Sequence, residues 1–383
     1  DVGLDKWSDD WTFANDNTLT EETEAIYLMA NLDFEWGNVP VSGNIGVRHI
    51  KSDVKTAGLQ NVGGGNGTPI TDDLGVTNDY LAFNTYGPEF DDTLPSLNLA
   101  FELSDNDILR FAAAKVMSRP PVGNMGSASG SWNNGFDADR GLDQHAVWND
   151  GSPYLDPFRA DQLDLSYEHY FDDGGAVTAA VFYKDIEALI EGPTQIDPAL
   201  APPVDVPEGR YLAIYQTYIN NDRGGYIRGF ELAGTKTFEN LSGIWSGLGA
   251  TASYSFTESE TEITGGDILG SGTIQPIPGL SENVWSTTIF YDYENFSTHV
   301  NVRYRDGFIQ KIATPQGAQP SVSQDYTTMD AQVSYAFENG ISVVLSGNNL
   351  TNEPALIEYG VPGLLGEYRE FGRQYYLGIN YQY

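Results

Sequence analysis

The chain has 383 residues and a formal net charge of −35 at pH 7, from 54 acidic and 19 basic side chains. This negative field repels phosphate backbones and excludes nucleic acid as a partner. No run of roughly 18 apolar residues is present, which excludes membrane-spanning helices, and the first residues, DVGLDKWSDDW, do not read as an intact signal peptide. The chain has no cysteine, which also excludes disulfides and thiolate metal sites.

Apolar and polar side chains alternate along most of the chain, with the period of two that is typical of β-strands. In AIYLMANLDFEW, Ile26 and Leu28 share one face, and in the final QYYLGINYQY, Tyr375 and Leu377 do so. The 42 glycines and the 13% of aromatic residues also favour strands and turns over helices. The alternation predicts thirteen strands, near residues 24–36, 40–52, 93–103, 107–118, 160–171, 175–187, 225–238, 247–258, 283–293, 296–306, 326–337, 340–349 and 370–383.

The connections between these predicted strands alternate in length. Short turns are predicted at residues 37–40, 104–107, 172–175, 239–247, 294–295 and 338–340. Long polar loops are predicted at residues 53–92, 119–159, 188–224, 259–282, 307–325 and 350–369. This rhythm is typical of outer-membrane β-barrels, whose short turns face the periplasm and whose long loops face outside. A soluble β-sandwich or solenoid would explain the alternation within strands but not the rhythm of the connections.

Aromatic residues cluster beside the short turns, where a periplasmic aromatic girdle would lie. They are Phe34, Trp36, Phe101, Phe171, Phe238, Tyr291, Tyr293, Phe296, Tyr335, Phe337, Tyr381 and Tyr383. A strand that precedes a short turn runs towards the periplasm, so residues 1–23 are predicted to be an extracellular loop segment. Because bacterial barrels usually have even strand numbers, the odd count predicts that residues 24–383 are the C-terminal part of the barrel of a larger protein.

The end of the chain carries a pattern of its own, Tyr376-x-Gly378-x-x-Tyr381-x-Tyr383. It resembles the C-terminal signal by which the barrel-assembly machinery recognises outer-membrane proteins. The physical interpretation is a last strand with a lipid-facing aromatic row and a glycine at a close backbone approach.

Further motifs lie upstream. GNNLTNEP at residues 347–354 and GSPYLDPF at residues 151–158 resemble segments of TonB-dependent transporters, although Ser152 stands where asparagine is usual. Residues 94–120 and 174–186 resemble the subgroup of these transporters first noted in Xanthomonas and Caulobacter.

The resemblance implies an all-β fold, a transmembrane antiparallel β-barrel of roughly twenty-two strands that is filled by an N-terminal plug. The thirteen predicted strands would be the tenth to the twenty-second, with the plug and the early strands absent from this chain. The implied location is the outer membrane. The implied partners are outer-membrane lipid and lipopolysaccharide, the barrel-assembly machinery, a small-molecule ligand, and the TonB complex through the missing N-terminal region.

Ligand recognition is expected on the long loops and the upper lumen. Residues 125–154 form the richest loop, because aromatic rings stand beside carboxylates and amides that suit a sugar. Its candidate residues are Trp132, Phe136, Asp137, Asp139, Arg140, Asp143, His145 and Trp148. Packing of the tryptophans against neighbouring loops is the alternative interpretation. Further candidates are Trp7, Trp11, Phe308, Tyr359 and Arg369.

Other chemistries find little support in the sequence. The spacing of Asp137, Asp139 and Asp143 matches no known calcium loop, and the scattered histidines form no catalytic or metal-binding constellation, so no enzyme, metal or cofactor is predicted. Charged residues on luminal faces, such as Arg110 and Glu168, are predicted to form wall-to-wall or wall-to-plug pairs. The predicted function is energised uptake of a scarce solute, with a carbohydrate favoured and a ferric siderophore as the competitor. A passive porin or a structural surface barrel is the alternative.

Overall fold

The computed structural model describes residues 17–61, 70–71, 77–78, 81–126, 129–149, 151–200, 206, 208–263, 273–311, 320–360 and 363–382. Within these residues it contains twenty-five strands, numbered β1 to β25 in chain order. Thirteen of them form one antiparallel wall: β1 (Asn17–Trp36), β2 (Val39–Asn61), β6 (Glu89–Glu102), β7 (Asp107–Ser118), β10 (Phe158–Tyr170), β11 (Gly175–Ile186), β14 (Gly225–Thr237), β15 (Leu248–Glu262), β17 (Asn283–Tyr293), β18 (Phe296–Arg305), β21 (Tyr326–Ala336), β22 (Ile341–Asn348) and β25 (Gln374–Tyr381). All thirteen predicted strands are therefore confirmed.

Each wall strand pairs with the next one in this order, from β1 to β25. Some boundaries differ from the prediction, since β1 begins at Asn17 rather than near residue 24 and β2 continues to Asn61. Both strands extend past the apolar alternation because they pair with each other along their full lengths. Short turns join alternate pairs of neighbouring wall strands, and Gly37 takes a φ of 66° in the first of them, a conformation that glycine adopts without strain.

One face of the wall is an apolar band. Cross-strand neighbours on this face include Val181 and Phe230, and further along Leu345 and Leu377. The side chains of Leu345 and Leu377 are 54% and 70% exposed. Apolar side chains in register across so many strands would aggregate in water, and they suit contact with hydrocarbon.

The opposite face of the wall is polar and holds ion pairs between neighbouring strands. Arg110 on β7 pairs with Glu168 on β10 at 2.7 Å, and Arg303 on β18 pairs with Asp330 on β21 at 2.6 Å. Because side chains alternate between the two faces of a strand, the apolar band and these pairs follow from one sequence pattern. The prediction of wall-to-wall pairing for Arg110 and Glu168 is confirmed.

Twelve more strands lie in the long connections, where the sequence predicts polar loops. They are β3 (Ile70–Thr71), β4 (Thr77–Asn78), β5 (Leu81–Tyr86), β8 (Ser129–Asp137), β9 (Leu142–Asn149), β12 (Leu189–Ile196), β13 (Arg210–Asn221), β16 (Ile274–Gln275), β19 (Phe308–Lys311), β20 (Ser321–Ser323), β23 (Ala355–Tyr359) and β24 (Leu365–Arg369). Within the described residues, these strands pair inside one connection, as β8 does with β9, and between connections, as β9 does with β13 and β20 does with β23, which satisfies their backbone hydrogen bonds.

Two groups of paired strands organise these connections, and the first continues the wall through the pairing of Gln60 on β2 with Ser129 on β8. The first loop sheet has the order β8, β9, β13, β12, and its central pair, β9 and β13, is parallel. The second loop sheet has the order β19, β20, β23, β24 and is antiparallel. A small apolar core formed by Val54, Phe90, Met125 and Leu155 lies where the loops join the upper ends of β2 and β6. The described part of the chain contains no helix that is long and apolar enough to cross a membrane.

Candidate functional site

The hairpin β8–β9 presents most of the predicted ligand-binding residues. Its register shifts between Asn133 and Phe136, and Gly135 within this shift has a φ of 109°. The irregularity turns Phe136 outwards, where 67% of its surface is exposed. Asp143 on the facing strand accepts a hydrogen bond from Asn133 Nδ2 at 2.8 Å, so its carboxylate is engaged within the hairpin.

Asp137 ends β8 and is held by a residue from another loop. The Tyr211 hydroxyl on β13 donates to Asp137 Oδ2 at 2.7 Å, and the backbone amides of Asp139 and Arg140 donate to Oδ1 at 2.9 and 3.2 Å. The Tyr211 bond is the main reason that the pKa of Asp137 is lowered and that of Tyr211 is raised. The Arg140 guanidinium lies 4.1 Å from the centre of the Tyr211 ring. This cluster joins the two loops that carry β8 and β13.

The interior of the first loop sheet buries polar side chains. His145 and Asn149 are each 1% exposed, and Asn149 Nδ2 donates to the Tyr215 hydroxyl at 2.7 Å. Both imidazole nitrogens of His145 lack a hydrogen-bond partner among the described residues. The indole nitrogen of Trp148 also lacks one there. Burial lowers the pKa of His145, and the positive charge of Arg210 adds to this effect. The imidazole is therefore neutral at pH 7.

The second loop sheet brings together three candidates that are far apart in the sequence. Phe308 lies on β19, Tyr359 on β23 and Arg369 on β24. Arg369 forms an ion pair with Glu367. The guanidinium carbon of Arg305 lies 3.9 Å from the centre of the Phe308 ring. The structure thus divides the predicted site between two sheets.

Some predicted residues are not described. Trp7, Trp11 and Tyr383 lie outside the described residues, and Trp132 lies on β8 although its side chain is not described. Trp148 is half-buried with a buried indole nitrogen, as the packing alternative expects. A ligand-binding role for any of these residues stays a prediction.

The final strand holds the proposed assembly signal. Tyr376, Gly378 and Tyr381 all lie on β25, which pairs with β22. A Cβ on Gly378 would lie 3.8 Å from Val344 Cβ, an ordinary van der Waals distance. The interpretation of Gly378 as a close backbone approach is therefore wrong, because the cross-strand neighbour leaves room for a methyl group.

Sequence reasoning missed the residues that complete the first cluster. Tyr211 and Tyr215 lie on β13, in a connection where no strand is predicted. Nothing in the local sequence indicates their pairing with Asp137 and Asn149, because each pair is separated by more than sixty residues. Within the described residues, no group of three histidine or acidic side chains could hold a metal ion.

Comparisons with known proteins agree with this architecture. The family model for the TonB dependent receptor-like beta-barrel matches residues 2–350. The chain belongs to the TonB-dependent receptors. Proteins of this family bind a small-molecule ligand, interact with TonB and lie in the outer membrane, and the family consists of transporters and receptors. The Xanthomonas and Caulobacter subgroup stays a prediction, and no curated protein matches the chain.

Solved structures share the fold of this TonB-dependent receptor at low sequence identity. One is the ferric-catecholate import receptor Fiu from E. coli K12, with 16% identity, a TM-score of 0.59, and coverage of 95% of this chain and 45% of that chain. A second is the ferric citrate transporter FecA, with 13% identity, a TM-score of 0.56, and coverage of 95% and 46%. A third is the siderophore receptor PirA from Acinetobacter baumannii, with 16% identity, a TM-score of 0.55, and coverage of 95% and 55%. The chain spans about half the length of these structures.

Proposed function

We propose that the protein takes part in TonB-energised uptake of a scarce solute across the outer membrane. The observation that carries this proposal is the thirteen-strand wall with its apolar band and folded loops, in a chain that matches the family's barrel model. The solute would be selected by the loop sheets, because loops on a rigid scaffold carry most binding residues. Binding and transport, without covalent chemistry, would be the whole activity.

For the solute we favour a ferric siderophore over a carbohydrate. Support comes from the solved relatives that are described as ferric-catecholate and siderophore receptors. Some cations of the described loops form ion pairs with acids, as Arg140 does with Asp137 and Arg223 does with Glu262. Together with the net charge of −35, this pairing favours an uncharged or cationic complex over an anionic one.

A carbohydrate is the second candidate, because exposed rings are available on both loop sheets. Phe136 is 67% exposed and Tyr359 is 39% exposed. Apolar sugar faces stack on such rings, and a nearby carboxylate such as Asp139 accepts hydrogen bonds from hydroxyl groups. Trp148 supports this candidate less, because its indole nitrogen is buried.

The partners follow from the same proposal. TonB would act through a region that lies outside this chain, and lipid and lipopolysaccharide would cover the apolar band. The barrel-assembly machinery would recognise β25. Residues 1–23 are proposed as an extracellular segment and residues 24–383 as part of the barrel.

Growth of a gene-deletion strain tests the function and the solute together. We expect the deletion to abolish growth on a siderophore-bound iron source under iron limitation, and the restored gene to recover it. Inactivation of TonB should have the same effect as the deletion. Loss of growth only on an oligosaccharide as carbon source would identify the carbohydrate candidate. Uptake that persists without TonB would instead support a passive pore and contradict energised import.

A further inference from the structure

A cavity of about 310 Å³ lies at the extracellular end of β15. β15 pairs with β17 as far as Phe256 and with β16 from Thr261 onward. Between these two pairings the segment 276–282 leaves the sheet, and residues of β19 and β20 close the gap. The cavity therefore arises where the wall passes into the second loop sheet.

Hydrogen bonds fix the segment that forms the edge of this cavity. Arg305 donates from Nε to Ser281 Oγ at 2.7 Å and from Nη2 to the Gly279 carbonyl at 2.6 Å. The backbone amide of Gly279 donates to the Ile309 carbonyl at 2.8 Å. An edge that is held from both sides is preorganised, which lowers the entropy cost of binding a ligand.

The cavity is apolar with one free carboxylate. Its apolar lining consists of Phe256, Leu280, Phe308, Ile309 and Val322. Glu258 and Glu282 also line it, and the charge of Glu258 is neutralised by Arg228, which donates to its two oxygens at 2.7 and 3.1 Å. Glu282 has no ion pair or hydrogen bond of its carboxylate within the described part of the chain. The lining thus offers an apolar surface beside the exposed carboxylate of Glu282, while the Arg305 guanidinium holds the edge segment through Ser281 and Gly279.

We propose that this cavity is a subsite for an ammonium group of the imported solute, together with the apolar carbon skeleton that carries it. The apolar lining removes the skeleton from water, and the Glu282 carboxylate pairs with the ammonium group. An anionic group is repelled both by Glu282 and by the net charge of −35. The inference rests on the proposed function, because it names a chemical feature of the same solute.

Three matched probes test the subsite on the protein as expressed from its own gene, in detergent. Para-fluorobenzylamine, para-fluorobenzyl alcohol and para-fluorobenzoate share one fluorinated ring and carry a cationic, a neutral and an anionic polar group, and fluorine NMR measures their binding. We expect the amine to bind about two- to fivefold more tightly than the alcohol, the range that an exposed ion pair provides. The benzoate should bind most weakly. Equal affinities of the amine and the alcohol would overturn the proposal.

Two variants locate the binding. Glu282→Gln should weaken amine binding about two- to fivefold and leave alcohol binding unchanged, because only the charge pairing is lost. Phe308→Ala should weaken both probes, because it removes part of the apolar lining. Glu338→Gln makes the same change of charge in the turn between β21 and β22, at the other end of the wall, and should change nothing. Equal effects of Glu282→Gln and Glu338→Gln would overturn the subsite.

The binding experiment tests the subsite and the uptake experiment tests the proposed import, and either hypothesis can be contradicted without the other. If the amine binds through Glu282 and the deletion strain shows no TonB-dependent defect, the subsite stands and the proposed import is wrong. If uptake depends on TonB and the affinity for the amine is unchanged in Glu282→Gln, the proposed import stands and the subsite is wrong.

Discussion

The wall and the first loop sheet are both built from strands, and they differ in what covers their faces. Each wall strand has one apolar face and one polar face, so the wall separates two environments. In the loop sheet, β9 buries three successive residues, His145, Ala146 and Val147, so protein covers both of its faces. A strand with two covered faces loses the alternation between apolar and polar side chains. The stability of the wall therefore depends on the environment that covers each of its faces. The stability of the first loop sheet depends on contacts within the protein.

The wall side of this contrast is tested by placing a charge on each face of β22. Leu345→Arg puts a cation in the apolar band, and we expect a loss of about 3 kcal/mol of folding free energy in a bilayer, the typical cost of a lipid-facing arginine. Ser346→Arg, on the opposite face, should cost far less. Denaturant unfolding in lipid vesicles, followed by the electrophoretic shift of folded barrels, measures both. Equal losses would show that the two faces do not meet different environments.

The upper end of the wall is tested at Asp92 on β6, which pairs with Arg159 on β10. Arg159 Nε and Nη2 donate to its two oxygens at 2.5 and 3.2 Å, and Asp92 is 6% exposed. Asp92→Asn leaves the Arg159 charge without its partner, so we expect a loss of about 2 kcal/mol, below the range for fully buried pairs because Arg159 is partly exposed. The same unfolding measurement serves here.

A substitution that breaks an exposed ion pair is the control for Asp92→Asn. Lys51 and Glu89 lie 3.4 Å apart, with 56% and 66% of their side chains exposed. Glu89→Gln should therefore cost less than about 1 kcal/mol. A cost as large as that of Asp92→Asn would mean that burial does not set the value of these pairs.

The loop side is tested through the pH dependence of His145. Its folded pKa is lowered from 6.5, so the unfolded loop binds more protons below that pH. The stabilising contribution of neutral His145 is present above pH 6.5 and is lost as the pH falls below it. The loss is at most about 1.4 kcal/mol per pH unit. Hydrogen exchange at the β9 amides at pH 7 and pH 5 should show faster opening at pH 5.

A substitution that cannot titrate provides the comparison. After division by the intrinsic exchange rate at each pH, the protection factors of the β9 amides should no longer differ between pH 7 and pH 5 in His145→Gln. The protection factors of the β22 amides should be the same at both pH values in both proteins. A pH effect of the same size in the His145→Gln protein would assign it to another group.

The same contrast explains how much of the molecule the sequence could predict. On β10, Leu163 and Leu165 alternate with Asp164, and this alternation is enough to identify the strand and both of its faces. On β13, Tyr215 and Gln216 are neighbours and both are buried, so the strand has no alternation to find.

The candidate site was predictable only in part for a related reason. Asp137 is correctly placed on a long loop, but its partner Tyr211 lies on a different connection. The parallel pairing of β9 with β13 has no signal in either segment alone, because parallel strands need a long connection and carry no shared turn. The local sequence therefore identifies side chains suited to a ligand and does not identify which of them meet.

The pairing of β9 with β13 also has a mechanical consequence. The two strands belong to different long connections, one between β7 and β10 and the other between β11 and β14. Their ladder, the Asp137 to Tyr211 bond and the Asn149 to Tyr215 bond fasten one connection to the other. Moving either connection alone would require all of these bonds to break at once. The two connections are therefore fastened to each other, and a displacement of one requires the other to move with it.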